Sequence, residues 1–553
     1  MRKHYILFVG LLVASISFAQ TSNSVLATGT WYKFAVDTTG VFKIDRGFLQ
    51  QLGVPLNGLN PKKIHIYGNG GQQLPVLNSD FRYDDLQENA LFIAGESDNS
   101  FDASDYILFY AKGPHDWQLD PANALAIHRH NPYTDLAYYF ITINDTDGKR
   151  IQQKTPISGA TTSPITLFDE FTYVEKDERN LFAAGMQWFF ASDFNIRNTQ
   201  TFNIPFPNAA PNEPLTVKVR AVSNSVVSSI MEVTLNNQQL FTINLPGVNP
   251  QSLTKAIAIE RAQTSANTPQ NIAISIAYNN NGNPSANAFL DYIEIIGKKQ
   301  LTVGNFQFGF RSFQQANASG TVQYQLANGA SAFQIWDVSN PITPQQITNE
   351  TSGSDFVFRD AAGALKEYVV LNERDFYTPI RLQNSRVQNQ NLHGLRDINY
   401  LIITNATLAG QAQRLAAYHE ENSNLSTKVV LIDEIYNEFA SGAKDITGIR
   451  DFIKLLYDTN SAPDKKLQYV CFFGDASYDY KDRISMNNNI IPVKLAFDSF
   501  NLANSYVTDD FYVMLDANEG TMTSSHTIDV ASSRIPVSTL DEATRSRRYF
   551  VLL

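Results

Sequence analysis

The chain has 553 residues, 43% of them hydrophobic and 18% charged, with a formal net charge of −11. That length holds several domains, and the balance is globular rather than disordered. The acidic surplus argues against a nucleic-acid binder and gives no reason to expect an anionic membrane surface as partner.

Residues 1–19 read as a secretory signal peptide. Arg2, Lys3 and His4 form a basic start, and Ile6 to Phe18 is an apolar core too short to span a bilayer comfortably. Ser17-Phe18-Ala19 puts small residues at the cleavage positions, so the mature chain is expected to begin at Gln20 and to be exported. A single cysteine, Cys471, allows no internal disulfide, so stability must come from large cores.

From 20 to 160 the pattern is one of short alternating strands. Trp31 to Val36 and Val41 to Ile44 flank Asp37-Thr-Thr-Gly40 and predict a hairpin. Strands are also expected at Ile64 to Tyr67, Tyr106 to Tyr110 and Tyr138 to Ile143. The acidic tract Asp98 to Asp105 has spaced oxygens, but it lacks the glycine and glutamate of an EF-hand loop and reads as a polar turn. His128 and His130 have the period of two metal ligands on a strand; with no third ligand nearby, the loop reading is favoured. From 161 to 388 strands continue between Asn-, Pro- and Ser-rich loops. Leu215 to Val222, Ile272 to Tyr278 and Phe289 to Ile295 alternate in the manner of β-sandwiches.

At 389 the character changes and an α/β domain is expected to run to 553. Tyr400 to Thr404 is a continuous apolar run, the kind buried on both faces. Ala406 to Asn424 has helical spacing, with His419 expected to be partly exposed. Lys428 to Ile432, a helix over Asp445 to Tyr457, and Leu467 to Phe473 complete a βαβαβ order, which implies a mostly parallel sheet. Ile490 to Val493, Asp509 to Asp516 and Ile528 to Val530 are further apolar stretches read as strands. Thr539-Leu-Asp-Glu542 has the form of a capping box that opens a helix. No glycine-rich loop follows the first strand, since Thr404-Asn-Ala-Thr407 cannot cradle a phosphate, and this argues against a nucleotide-binding domain.

Several of these residues resemble a known family. Tyr400 to Thr404, Ile435 to Gly442 with Asp445, Phe473-Gly-Asp-Ala-Ser-Tyr-Asp-Tyr480, Thr508 to Tyr512 and Arg534-Ile-Pro536 are similar to the first half of a gingipain-type cysteine peptidase domain. Trp31 to Phe34, Gly40 to Ile44, Phe289 to Glu294 and Phe333 to Asp337 resemble the β-rich part of one branch, the sortase of the Bacteroidetes type IX secretion system. The resemblance implies a caspase-like sheet carrying a Cys–His dyad. It also implies an outer-membrane, cell-surface location and an enzyme that removes C-terminal sorting domains from exported cargo. That enzyme joins the cargo to anionic lipopolysaccharide, and its partners are the cargo and outer-membrane proteins of the secretion system. In the family the histidine and cysteine lie well beyond the Arg-Ile-Pro segment, whereas this chain ends shortly after Pro536. The chain is therefore expected to be an N-terminal part, inactive alone, with a C-terminal sheet vulnerable to proteolysis beyond Gln388. The competing reading is a non-catalytic surface β-sandwich adhesin or scaffold with a degenerate peptidase-like domain.

No catalytic residue is assigned. Cys471 lies within an apolar strand, where free cysteines are inert. His526 sits in a Thr/Ser-rich turn. Asp509-Asp510 reads as a strand N-terminus. Asp475, after a strand end, and Asp529, on the way to Arg534, are candidate ligands for calcium, an ion the family carries, with loop oxygens from Asp516 to Glu519. The alternative is that Asp475 caps a turn and Asp529 faces solvent. The chemistry itself requires no cofactor.

Overall fold

The computed structural model describes residues 21–161 and 163–546, so the expected signal peptide and the segment after Ser546 lie outside the described residues. The chain builds three β bodies and one α/β domain.

In the first body a five-stranded sheet faces a three-stranded one. The larger has the order Ile380–Val387, Trp31–Val36, Ala137–Ile143, Ile64–Tyr67, Glu88–Asn89; the smaller has Gly40–Asp45, Tyr106–Ala111, Phe92–Ala94. Trp31–Val36 and Gly40–Asp45 are therefore not a hairpin, as their spacing predicts. Each enters a different sheet, and Phe34 and Phe42 reach one shared core with Phe109 and Tyr139. Trp31–Val36 is buried along nearly its whole length, so it needs a partner on both edges; Ala137–Ile143 and Ile380–Val387 supply them.

The region 161–388 divides rather than forming one unit. Leu167–Glu175, Ala288–Gln300, Leu215–Ser223 and Ile257–Ser265 form one face of a sandwich. Thr199–Pro205, Asn271–Asn279, Ser229–Leu235 and Gln238–Leu245 form the other. The alternation expected from the sequence is obeyed: Val217, Val219, Ile274, Ile276, Ile293 and Ile295 all point into the core. A third body centres on Gln334–Asp337, Glu367–Leu371 and Phe308–Arg311, packed on the antiparallel pair Thr321–Leu326/Phe356–Ala361.

The α/β domain has four parallel strands in the order Thr427–Leu431, Tyr400–Thr404, Tyr469–Phe473, Ala531–Ile535. Both faces are covered. Helix Ile446–Asp458 packs Ile449, Phe452 and Ile453 against one face. Helix Ala409–Ser423 packs Ala412, Leu415 and Ala416 against the other, joined by Ala543 of helix Leu540–Arg545. Thr539 does cap that last helix, accepting from Glu542 N–H at 3.3 Å. Three expected strands differ. Asp510–Val513 is a 3₁₀ turn whose Phe511, Tyr512 and Val513 all enter the core, a pattern no strand with one buried face could give. Ile490 to Val493 is loop, followed by the short strand Lys494–Leu495, and the last sheet strand starts at Ala531, after Val530.

The α/β domain docks on the first body through polar contacts. Glu438 grips the entering chain, accepting from Leu392 N–H at 2.8 Å, His393 N–H at 3.1 Å and His393 Nδ1–H at 2.6 Å. Lys33 donates to Asn437 Oδ1 at 2.9 Å and Gly442 O at 2.8 Å. Asn69 N–H bonds Ser441 Oγ, and Leu74 N–H bonds Asp445.

Candidate functional site

In an open parallel sheet, ligands collect outside the carboxyl ends of the strands. Here Tyr469–Phe473 ends in Gly474-Asp475, and Ala531–Ile535 carries Arg534 beside it. Gly474 is required by packing: a Cβ there would lie 2.6 Å from Ile490 Cγ2. Asp475 ties the loops together. Its carbonyl accepts from Ile490 and Ile491 N–H, both at 3.0 Å. Its carboxylate accepts from Ala476 N–H at 2.9 Å, Ser538 Oγ–H at 3.2 Å and the Asn488 amide.

Arg534 holds the same loops from the other side. Nε and Nη2 bond Asp509 at 2.8 and 2.6 Å, and Nη1 bonds Gly474 O and Ile491 O, both at 2.8 Å. Nη2 also bonds Pro492 O at 3.3 Å. A guanidinium has five N–H donors, and all five are engaged. Arg534 is thus a clamp and has no donor left for an anionic substrate. Asp509, expected at a strand start, is instead its counter-ion. A cavity of about 600 Å³ opens beside this clamp, lined by Asp475, Ser477, Tyr478, Asn488, Val507 and Thr508 among others. Among the described residues its walls offer carboxylates, hydroxyls and apolar surface but neither thiol nor imidazole.

Cys471 does not reach this cavity. It is fully buried in a layer with Ile402, Ala412 and Ala416. Burial pushes the thiol up to about 11, although bonds to Ser533 and Tyr400 oppose the shift. A thiol so placed is protonated and inert. His419 is buried rather than partly exposed, because it lies on the inner stripe of its helix with Ala412, Leu415 and Ala416. Its ring meets Tyr400 edge-on at 4.9 Å and Nδ1 faces Ser423 Oγ at 3.3 Å.

The two candidate calcium ligands are not brought together. Tyr469–Phe473 and Ala531–Ile535 run parallel with Tyr469 opposite Ala531, so Asp475 lies beyond the carboxyl ends and Asp529 before the amino ends. Five residues at about 3.3 Å each separate the two levels, too far for one ion. Asp529 accepts from Leu515 N–H at 2.8 Å. Burial raises its carboxyl, as do Asp516 and Glu519 nearby. The loop oxygens that calcium would need already accept from Asn78, whose side chain bonds Met514 O at 3.1 Å and Asp516 O at 2.7 Å and whose N–H bonds Glu519 O at 2.9 Å. Residues 516 to 529 therefore form a docking loop for the first body. The Asp98 to Asp105 tract is a turn, Glu96–Asp98 being a 3₁₀ segment and Asp105 accepting from Asp102 N–H at 2.7 Å.

His128 lies on the strand Leu125–Arg129, not in a loop, and is buried because its side chain enters a polar seam against the sandwich. It bonds Glu294 at 2.5 Å and also Glu175. Burial alone would lower its pKa; the two carboxylates outweigh that and hold it at about 9. His130 stacks on His115 at 4.0 Å, with Asp135 beside both. Burial pushes both imidazoles down to about 3, helped by Lys481. The sequence reading missed His115, yet pairing of Asp116 with Arg129 places 115 opposite 130. Two features make this trio a poor metal site. Asn131 N–H donates to His115 Nδ1 at 3.0 Å, so the neutral ring carries its proton on Nε2, and Lys481 Nζ already sits 2.6 Å from Asp135.

Residues 393–546 match peptidase family C25. Among solved structures, dimeric latent PorU from Porphyromonas gingivalis is similar with a TM-score of 0.81 and 22% identity, over 95% of this chain and 49% of that one. This chain thus spans about half the length of that protein, and at such identity the likeness is one of fold. The CBM36-1 domain of a multidomain xylanase from the hindgut metagenome of Trinervitermes trinervoides aligns at 15% identity with a TM-score of 0.16, over 23% of this chain and 96% of that one. No curated protein matches. Residues 393–546 therefore carry the pattern of peptidase family C25, the gingipain family, within a chain that shares the fold of the matched half of PorU.

Proposed function

We propose that this chain serves a PorU-like cysteine peptidase and transpeptidase that removes C-terminal sorting domains from exported cargo. The cargo is then joined to anionic lipopolysaccharide at the outer-membrane surface. The observation that carries this reading is the match of residues 393–546 to peptidase family C25. The signal-like start, the PorU-like β bodies and the ordered motifs from Tyr400 to Pro536 support it. The chemistry is acyl transfer: a thiolate attacks the scissile carbonyl, the amine leaves with a proton from a histidine, and an acceptor amine or water resolves the thioester. On this reading Cys471 is not that nucleophile, and these residues supply the framework: the Arg534–Asp509 clamp, the Asp475 loop anchor and the cavity between them. Partners would be sorting-domain cargo, outer-membrane secretion proteins and the lipopolysaccharide acceptor. Among the described residues no helix is long and apolar enough to cross a membrane.

The test has two arms. Disrupting the gene in its source bacterium should leave cargo carrying its sorting domain, read by mass spectrometry of the surface fraction. Unchanged processing would overturn the reading in favour of a non-catalytic scaffold. The 553-residue protein incubated with such cargo should show no turnover; turnover abolished by C471A would overturn the assignment of Cys471 as structural.

A further inference from the structure

The first body, the sandwich and the α/β domain meet around a second cavity, of about 690 Å³, whose lining includes Gln72, Trp188, Arg220, Lys494 and Phe497. That volume suits a small organic ligand. Most charges lining it are matched. Arg220 pairs with Asp291, His128 with Glu175, and Asp177 with Arg483. Asp116 and Arg129 are cross-strand neighbours and offset one another.

Lys494 is the exception. Among the described residues its ammonium has no ion pair or hydrogen bond, and its near neighbour is the Phe511 ring at 5.3 Å. Burial lowers its pKa; Asp445 acts against that and Arg450 with it. In the same cavity the Gln72 side-chain Nε2 is buried without an acceptor. A buried donor left without an acceptor is costly. Lys494 is half-buried rather than sealed, but an unpaired ammonium and an orphaned amide N–H on one cavity wall ask for a ligand that only accepts. Trp188, itself 7% exposed, and Phe497, 71% exposed, add ring surface for the remainder of such a molecule.

We propose that this junction cavity binds an organic carboxylate, its oxygens accepting from Lys494 and the Gln72 amide and its apolar part lying against Trp188 and Phe497. Because three bodies form the walls, an occupied cavity would also hold them together. The probes are phenylacetate and its neutral isostere phenylacetamide, titrated calorimetrically into the whole protein, with a phenylacetate-soaked crystal to locate the ligand. Phenylacetate should bind roughly tenfold or more tightly than the amide, as a charge-assisted bond implies. K494M should erase the preference, and Q72L should weaken phenylacetate several-fold in a protein that still folds. Equal affinity for acid and amide, a preference that survives K494M, or a ligand found away from Lys494 would each overturn the proposal.

Discussion

Replacing Glu438 by glutamine keeps the side chain's shape and removes one charge from a place where neither it nor His393 touches water; both side chains are 0% exposed. Burial alone would lower the His393 pKa, but bonds to Asp84 and Glu438 raise it from 6.5 to about 10. The folded state therefore holds this proton more tightly than the unfolded chain does. The stabilisation is complete below about pH 6.5 and is lost as pH rises through about 10. At about 1.4 kcal/mol per pH unit the coupling is on the order of 5 kcal/mol. Removing one partner of a buried pair costs a similar amount, about 3–5 kcal/mol. The chain has several domains, so a single global transition is not the right readout. Urea titrations read by pulse proteolysis, scoring cleavage within 393–546, isolate the docked domain. E438Q should fall below wild type by about 3–5 kcal/mol near pH 6, and the gap should narrow steadily towards pH 10. All other titrating groups are common to the two proteins and cancel in the difference. A gap that stays constant from pH 6.5 to 10 would refute the imidazolium–carboxylate latch and leave Glu438 as a hydrogen-bond acceptor only.

Three further outcomes follow from the same geometry. Cys471 should resist iodoacetamide in the native protein and react fully in urea; fast native labelling would show that the strand opens. R534M strands the Asp509 carboxylate and three carbonyls, and should destabilise the domain by about 3–5 kcal/mol; a loss below about 1 kcal/mol in urea would mean the clamp is dispensable. G474A drives a methyl to within 2.6 Å of Ile490 and should cost about 1–3 kcal/mol, measured by the same titration; a neutral effect would mean that the Ile490 loop yields freely.

Legibility followed the range of the interactions. Tyr400–Thr404 and Tyr469–Phe473 were readable because strands buried on both faces need unbroken apolar runs, and a local window sees those. The helix Ala409–Ser423 was readable from its spacing, but the same stripe includes His419, and its polar label suggested exposure where the fold gives burial against Tyr400. Ile380–Val387, with little apolar alternation, takes its place in the first sheet only because Trp31–Val36 offers an edge some 350 residues earlier. Asp510–Val513 failed for a related reason: a compact apolar run fits a strand or a 3₁₀ turn equally well, and the decision lies in Arg534 anchoring Asp509 just before it. The candidate site is the extreme case. Asp475 stood out as a residue after a strand end and Arg534 only as part of the Arg-Ile-Pro resemblance, yet their roles are set by groups at 474, 488, 491, 492, 509 and 538, which no spacing rule links. That asymmetry bears on Cys471 as well. Its strand was legible, and a strand centre under two covering helices leaves a thiol no route to a substrate, so its isolation follows from the one part of the fold that local pattern does determine.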